Sequence, residues 1–347
     1  MTPLRDHPAV TAMLPMGSRR RAAAAALARR ARPKRPAPPK PKKSPLIQKE
    51  NRQLKKAWAR HDPEMLDIYL ATGFQDPRIN VQSILARHLL VRALFGSKFD
   101  RLMQEELAFA VEINEAVRLR AHELGVRLSA SLDRERRADV ERVMAPFDAK
   151  ASTYADKWSQ ALAGRKAHRL KVLELACGSA NDYRALAMYG IAPFLDYTGI
   201  DLNENNISNA KRRFPDVDFR VGSILSLPFA DRTVDYVLAF DIFEHLSLAA
   251  MREALDEAVR VSQRGLYIAF FRMSDIPDHI EEPRGAYHFN MLSAPRMREY
   301  FEKHYPSVDL VHVATFLFER FGYKHSYNKQ AYSIIAERRR GLLSRRG

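Results

Sequence analysis

Residues 172–182 read VLELACGSAND, and residues 197–202 read YTGIDL. Both are short apolar runs that stop abruptly, the first on a turn of small residues and the second on an acid. At the carboxyl edge of a parallel sheet this pairing grips a nucleotide-like cofactor. Small residues let backbone approach the ligand, and the acid takes up a ribose diol. Working outward, strand-like runs occupy 171–177, 195–202, 217–222, 234–241 and 265–271, with helix-like runs at 182–189, 204–214 and 249–261 between most of them. Strands alternating with helices predict an α/β fold with a doubly wound, mostly parallel sheet. The last two strands, 308–316 and 331–336, are separated only by the polar segment FERFGYKHSYNKQ. A connection without a helix predicts that they close a seven-stranded sheet as an antiparallel terminal pair.

The remaining organisation follows from composition. The 347 residues leave room for one domain of about 150–200 residues plus a smaller unit. The net charge of +16 is localised: residues 1–56 hold 16 Lys/Arg against the acids Asp6 and Glu50, a net +14, which leaves +2 for the rest. Residues 1–45, with RRRAAAAALARRARPKRPAPPKPKK, are too rich in proline, alanine and like charge to bury a core, and are expected to be a disordered basic tail. Such a tail serves as a polyanion-binding arm, as a transit peptide, or as a merely solvated extension. Residues 339–347 form a second, short basic tail. Cys177 is the only cysteine, so no intramolecular disulfide forms, and a reducing, cytoplasmic setting is expected. The longest apolar runs fall well short of the roughly 20 residues of a membrane span.

Residues 46–145 read as all-helical. Asp62-Pro63 and Asp76-Pro77 each place an N-cap residue before a proline at the first helical position. Ile84, Leu85, Leu89 and Leu94 share much of one helical face; Leu102, Met103, Leu107, Ala110 and Val111 repeat that spacing up to a stop at Gly125. A further helix over 133–144 is expected to end before Pro146. The region carries no recognisable chemistry and is expected to be a helical cap or a dimerisation unit supporting a homodimer, with a second domain over 146–338.

Within 146–338 the ordered set ELACGSA, GIDL, VGSILSLPFADRTVDYVLAFDIFEHL and GLYIAFF resembles the class I S-adenosylmethionine-dependent methyltransferases. A dinucleotide-binding dehydrogenase instead needs G-x-G-x-x-G; positions 176–181 are ACGSAN, with glycine only at 178. The family pattern prefers glycine at 176 and 180 as well, and both are alanine here. By that resemblance Glu174, Ala176 and Gly178 border the methionine part of S-adenosylmethionine, Asp201 accepts hydrogen bonds from the ribose hydroxyls, and Leu202 packs on the adenine. Ser223 stands where the family often has an acid for the adenine amino group, which leaves that contact to the backbone at Ile224. Phe240 and Asp241 end the fourth strand and face the transferred methyl. Phe147, Tyr154 and Trp158 match an aromatic lead-in that often closes over the cofactor; plain core packing accounts for them equally.

A sulfonium methyl is already activated, so the protein must chiefly align an acceptor and exclude water. A general base is needed only where the acceptor arrives protonated. Asp241, Glu244 and His245 stand at i, i+3 and i+4; on a helix they share a face and can hold a divalent cation such as magnesium. The spacing is similar to that of metal-using ubiquinone-pathway O-methyltransferases and small-RNA 2′-O-methyltransferases, in which a later loop adds a ligand, here His279 or His288. Many metal-free relatives carry the same D-x-x-E-H-L. The segment 273–292, MSDIPDHIEEPRGAYHFNML, follows the fifth strand and is expected to be a substrate lid that supplies the proton acceptor. His245, His279 and His288 are the candidates for that role. Three functions follow: methyl transfer to oxygen or nitrogen of a small-molecule acceptor; methylation of RNA with the basic tail supplying affinity; or a non-catalytic cofactor-binding scaffold.

Overall fold

The structure is a computed structural model that describes residues 45, 48, 49, 51, 52, 55, 76–125, 134–326 and 328–338. The two basic tails (residue 45 apart) and Asp62-Pro63 lie outside the described residues. Seven strands form one sheet: β1 (Leu170–Leu175), β2 (Leu195–Asp201), β3 (Asp218–Val221), β4 (Val234–Phe240), β5 (Ser262–Phe270), β6 (Ser307–His312) and β7 (Tyr332–Glu337). Their order in space is β6-β7-β5-β4-β1-β2-β3. β1 is parallel to β2 and β4, β2 to β3, and β4 to β5, whereas β7 is antiparallel to both β5 and β6.

The central strands are buried on both faces, which is why they read as near-continuous apolar runs. Leu170 and Val172 of β1 enter one core, while Leu173 and Leu175, facing the other way, enter a second. β2 and β3 come close enough that side-chain volume is rationed. A Cβ on Gly199 would stand 2.7 Å from Phe219 Cδ1 and 2.8 Å from Cys177 Sγ.

Eight helices are used below: α1 (Val81–Phe95), α2 (Asp100–Glu123), α3 (Arg134–Leu162), α4 (Asn181–Met188), α5 (Glu204–Arg213), α6 (Leu248–Val261), α7 (Ala294–Glu302) and α8 (Val313–Phe321). α6 and α7 cover one face of the sheet; α1, α3 and α4 pack into the core on the other. α2 ends as its sequence predicts, with Gly125 left-handed at φ +63°. No helix among the described residues is long and apolar enough to cross a membrane.

Four expectations are corrected. The boundary at 145/146 falls inside α3, which continues through Pro146 to Leu162. An interior proline costs about 3 kcal/mol, but Val143 and Met144 before it and Ala155, Trp158 and Leu162 after it are buried, so packing on both sides outweighs that cost. Asp76-Pro77 opens a turn, not a helix: the Asp76 carbonyl accepts from Ile79 N and Asn80 N, and α1 is capped by the Asn80 side chain. α1 is not one-sided either; every residue from Val81 to Val91 is buried. Its polar residues Gln82, Ser83, Arg87 and His88 are hydrogen-bonded internally. Finally, β6 stops at His312, and residues 313–321 are helical. Val313 and Leu317 are buried at i, i+4, a helical spacing that also fits an apolar strand.

Candidate cofactor and acceptor site

The strand order reverses between β1 and β4, so the crevice outside their carboxyl ends is where an open α/β sheet binds ligands. Backbone strain concentrates there. Ala176, Gly178 and Ala180 after β1 are all left-handed, at φ 54°, 53° and 65°, as is Asp241 after β4, at 50°. A glycine at 178 pays nothing for this and leaves open space where a Cβ would stand. The alanines do not share that freedom.

The loop is held from β2. Asp201 Oδ2 accepts from Gly178 N at 2.9 Å, and Oδ1 accepts from Asn203 N at 2.7 Å. Ser179 Oγ donates to Asn206 Oδ1 at 3.2 Å, and Arg213 Nη1 donates to the Ser179 carbonyl. Asp201 is thus preset by the backbone it faces. Leu202, next to it, is 42 % exposed, unusual for a large apolar residue at the end of a buried strand. Ser223 Oγ caps the following turn, accepting from Leu225 N, while Ile224 is buried. Asn51 reaches the same edge, its Oδ1 accepting from Asn205 Nδ2 at 2.5 Å.

The crevice is acidic. Burial raises the Glu174 carboxyl well above its ordinary value, reinforced by Asp182 and Asp201; Tyr197 Oη donates to it at 2.6 Å. Desolvation also raises Asp182 and Asp201, despite the donors each has. Asp241 is exposed as a residue, and desolvation of its carboxyl, then Glu244 and Asp182, push it up. Carboxyls crowded together raise one another's pKa, and a nearby cation opposes that, as Arg87 and Arg184 do for Asp182.

Across the crevice, Asp241 leads into a 3₁₀ turn, Phe243–His245. Glu244 points inward, fully buried. Its Oε1 accepts from Phe271 N at 2.7 Å and Arg272 N at 3.2 Å, while Oε2 has no partner. Burial lifts its carboxyl to about 7 against those two donors. His245 Nδ1 lies 3.1 Å from the His288 carbonyl. A carbonyl only accepts, so Nδ1 carries the proton and Nε2 keeps its lone pair. Desolvation lowers the His245 pKa, favouring this neutral form. Its ring stands against Phe271 (5.3 Å between centroids), Tyr287 (5.9 Å) and Phe289 (6.1 Å).

Within residues 273–292, the stretch 280–291 folds back on itself as a pinned hairpin, while Met273 and Ser274 pair in parallel with Leu292 and Ser293. Asn290 is fully buried, donating from its backbone to the Glu244 carbonyl and from Nδ2 to the Leu246 carbonyl. Arg272 pairs with Glu282 at 2.7 Å and lies over the Phe289 ring. His288 is brought to His245 through its backbone and pairs by its ring with Glu281 at 3.3 Å. His279 is turned elsewhere. Its Nδ1 accepts from Ser293 N, and it lines a separate cavity of about 360 Å³ with Arg252, Arg296 and Tyr300.

Two sequence expectations change here. Asp241, Glu244 and His245 form no ion-binding group, nor does any cluster of His, Cys, Asp and Glu among the described residues. The turn is 3₁₀, Asp241 is left-handed, and Glu244 spends Oε1 on backbone donors, so the donors the spacing would align on a helix do not converge. The aromatic lead-in serves the helical layer: Tyr154 stacks on Phe109 at 4.3 Å, and the buried Trp158 donates to Glu106 Oε2 at 2.8 Å. Nothing in the local sequence marks Ser83, Asp182 or Asn290, because their partners lie 99, 99 and 44 residues away.

Residues 172–265 match the family profile described as Methyltransferase domain. A probable S-adenosylmethionine-dependent methyltransferase of Mycolicibacterium smegmatis is 32 % identical over 144 residues, covering 40 % of this chain and 53 % of that protein. A demethylmenaquinone methyltransferase of Paenarthrobacter aurescens is 34 % identical over 110 residues (31 % and 41 %). A ubiquinone/menaquinone biosynthesis C-methyltransferase of Roseobacter denitrificans is 32 % identical over 148 residues (40 % and 57 %). The chain spans about half the length of these curated relatives, and the matched stretch contains both the Asp201 edge and the turn that carries His245.

Proposed function

We propose that the chain carries a class I S-adenosylmethionine-dependent methyltransferase domain and transfers a methyl group to an oxygen or nitrogen of a small-molecule acceptor. The observation that carries this reading is the Asp201 carboxylate, bonded to Gly178 N beneath a loop of three left-handed residues at the strand-order reversal. When bound, S-adenosylmethionine supplies a methyl already activated on a sulfonium. The chain's own residues then have five tasks. Asp201 receives the ribose hydroxyls, a carboxylate having lone pairs to spare. Leu202 and the backbone at Ile224 take the adenine, and Glu174 with the 176–180 loop takes the amino-acid end. The hairpin holds the acceptor and sheds water. His245 Nε2 removes the proton of a hydroxyl or amine acceptor, a role that a neutral imidazole suits.

The rings of Phe271, Tyr287 and Phe289 around His245 suit a flat, unsaturated acceptor. Quinol-like molecules are the first to test, given what two of the relatives are named for. The decisive experiment supplies methyl-labelled S-adenosylmethionine with fractionated cell extract. Label is expected in the small-molecule pool, on oxygen or nitrogen by NMR of the product. Label on a carbon would correct the acceptor atom. Label in RNA that is lost on deleting residues 1–45 would favour the polyanion reading. Measurable cofactor binding with no transfer to any fraction would leave a scaffold. Asp201→Ala serves as control and is expected to weaken cofactor binding at least roughly tenfold, as expected for hydrogen bonds to a charged group.

A further inference from the structure

The cavity of about 360 Å³ that His279 lines lies between α6, α7 and the base of the hairpin, and it shares no residue with the crevice. Its floor is apolar: Leu255, Met297 and Tyr300 are buried in the core on the α6–α7 face of the sheet. Its walls carry charge of both signs. Arg252, Arg296 and Lys303 stand against Asp278 and Glu299, which leaves one positive charge in excess. The ion pairs show where that excess resides. Arg296 is engaged by Asp278 at 2.7 Å and by Glu299 at 3.2 Å, and Lys303 by Glu299 at 2.8 Å. Arg252 forms no ion pair among the described residues; its guanidinium lies 5.1 Å over the Tyr300 ring. The Tyr300 hydroxyl is already committed, donating to Asp256 Oδ1 at 2.7 Å. His279 supplies a second donor. Its Nδ1 accepts from Ser293 N at 2.9 Å, and a backbone N–H only donates, so the ring proton sits on Nε2. Desolvation lowers the His279 pKa, and Arg296 and Arg252 add to that against Asp278, so the ring is held neutral. Among the described residues the Nε2–H meets no acceptor.

We infer that this cavity is a second binding site, for a small carboxylate with an apolar body, whose oxygens are received by the Arg252 guanidinium and the His279 Nε2–H. The inference is independent of the methyl-transfer reading. The volume falls in the range of small-molecule pockets, roughly 300–1,000 Å³. One uncommitted guanidinium matches one negative charge, and its planar fork beside a further N–H suits the two oxygens of a carboxylate. A doubly charged phosphate would leave a charge uncompensated next to Asp278 and Glu299. The apolar floor gives the ligand's body somewhere to go, each buried methylene being worth roughly fourfold in affinity. The donors are also set in advance. Ser293 fixes the His279 ring through its N–H while its Oγ caps α7, accepting from Arg296 N at 3.2 Å.

The test titrates the full chain calorimetrically with octanoate, and with octanol, acetate and inorganic phosphate as comparisons. Octanoate is expected to bind saturably. Octanol, with a like body and no charge, is expected to bind at least roughly tenfold more weakly, and acetate, with the charge and no body, at least roughly a hundredfold more weakly. Arg252→Gln is expected to weaken octanoate roughly tenfold, the scale of a hydrogen bond to a charged group, and to leave octanol unchanged. His279→Asn keeps an acceptor for Ser293 N and removes the Nε2–H; a loss of several-fold is expected, again for octanoate alone. Because Arg252 is exposed and holds no ion pair, its variant carries the test even where His279→Asn fails to fold. Saturating S-adenosylhomocysteine is expected to leave octanoate binding unchanged. Absence of saturable octanoate binding would overturn the inference, as would octanol binding as tightly or an Arg252→Gln chain binding octanoate undiminished. Phosphate binding more tightly than octanoate would overturn the ligand class. Displacement of octanoate by S-adenosylhomocysteine would put it in the crevice and overturn the second site.

Discussion

Ala176 and Ala180 hold left-handed backbone that an L-residue enters at a cost of roughly 1–2 kcal/mol. Ala176→Gly and Ala180→Gly are each expected to relieve part of that strain. A gain of about 1 kcal/mol in urea denaturation is the expected outcome, less whatever glycine's unfolded-state entropy takes back. The opposite sign is expected at Gly199, where alanine must push Phe219 and Cys177 apart; a loss of about 1–3 kcal/mol in the same measurement checks it. These positions also mark what the sequence makes legible. Asp201 could be read because its partner loop lies 23 residues upstream in one β-α-β unit whose grammar is local. Asp182 sits in the same quoted stretch, and its bond from Ser83 could not be read, since only tertiary structure brings the two near.

At the scale of elements, the turn after β4 shows the limit of spacing rules. The i, i+3, i+4 pattern describes a face only on an α-helix, and here a left-handed residue and a 3₁₀ turn swing Glu244 inward. Its buried carboxyl has a folded pKa raised to about 7. The folded state therefore binds the proton more tightly than the unfolded chain, and stability falls as pH rises from the ordinary glutamate range through about 7. Glu244→Gln keeps an oxygen for Phe271 N and Arg272 N and removes the titration. The variant and the unsubstituted protein are expected to melt alike near pH 5 and to diverge toward pH 8, the variant more stable by a few kcal/mol at most. Parallel melting curves across that range would refute the assignment. The same scale explains α3 and α8. Pro146 and the apolar 313–317 run are breaker and strand signals locally, and packing against the helical layer reverses both.

At the scale of the whole molecule, one buried carboxylate joins the helices to the sheet domain. Glu106 of α2 accepts from Arg87 at 2.7 Å and from Trp158 at 2.8 Å, and lies 2.6 Å from His88 Nε2. Burial alone would raise it; Arg87 and His88 outweigh that and hold it down at about 2. Arg87 also donates to the Pro77 carbonyl and lies 4.1 Å over the Tyr189 ring of the sheet layer. Glu106→Ala is expected to cost about 3–5 kcal/mol by leaving Arg87 buried and unpaired, with Glu106→Gln intermediate, as read by denaturant midpoint. Charge patterning on α1 and α2 gives no hint of this network, since Arg87, His88 and Glu106 pass locally for solvated side chains.

The bond from Gln82 to the Tyr332 carbonyl joins residues 250 apart. Synthesis runs from one to the other, so on the ribosome α1 and the central strands emerge long before the strand that completes the crevice. Until β7 inserts between β5 and β6, the first turn of α1 is seated only by its bonds to Phe270 and Tyr267 of β5. Long-range closure of this kind is slow. A nascent chain arrested before residue 332 is therefore the species in which the sheet's inner edge stands open, and the one most exposed to a chaperone or to its neighbours.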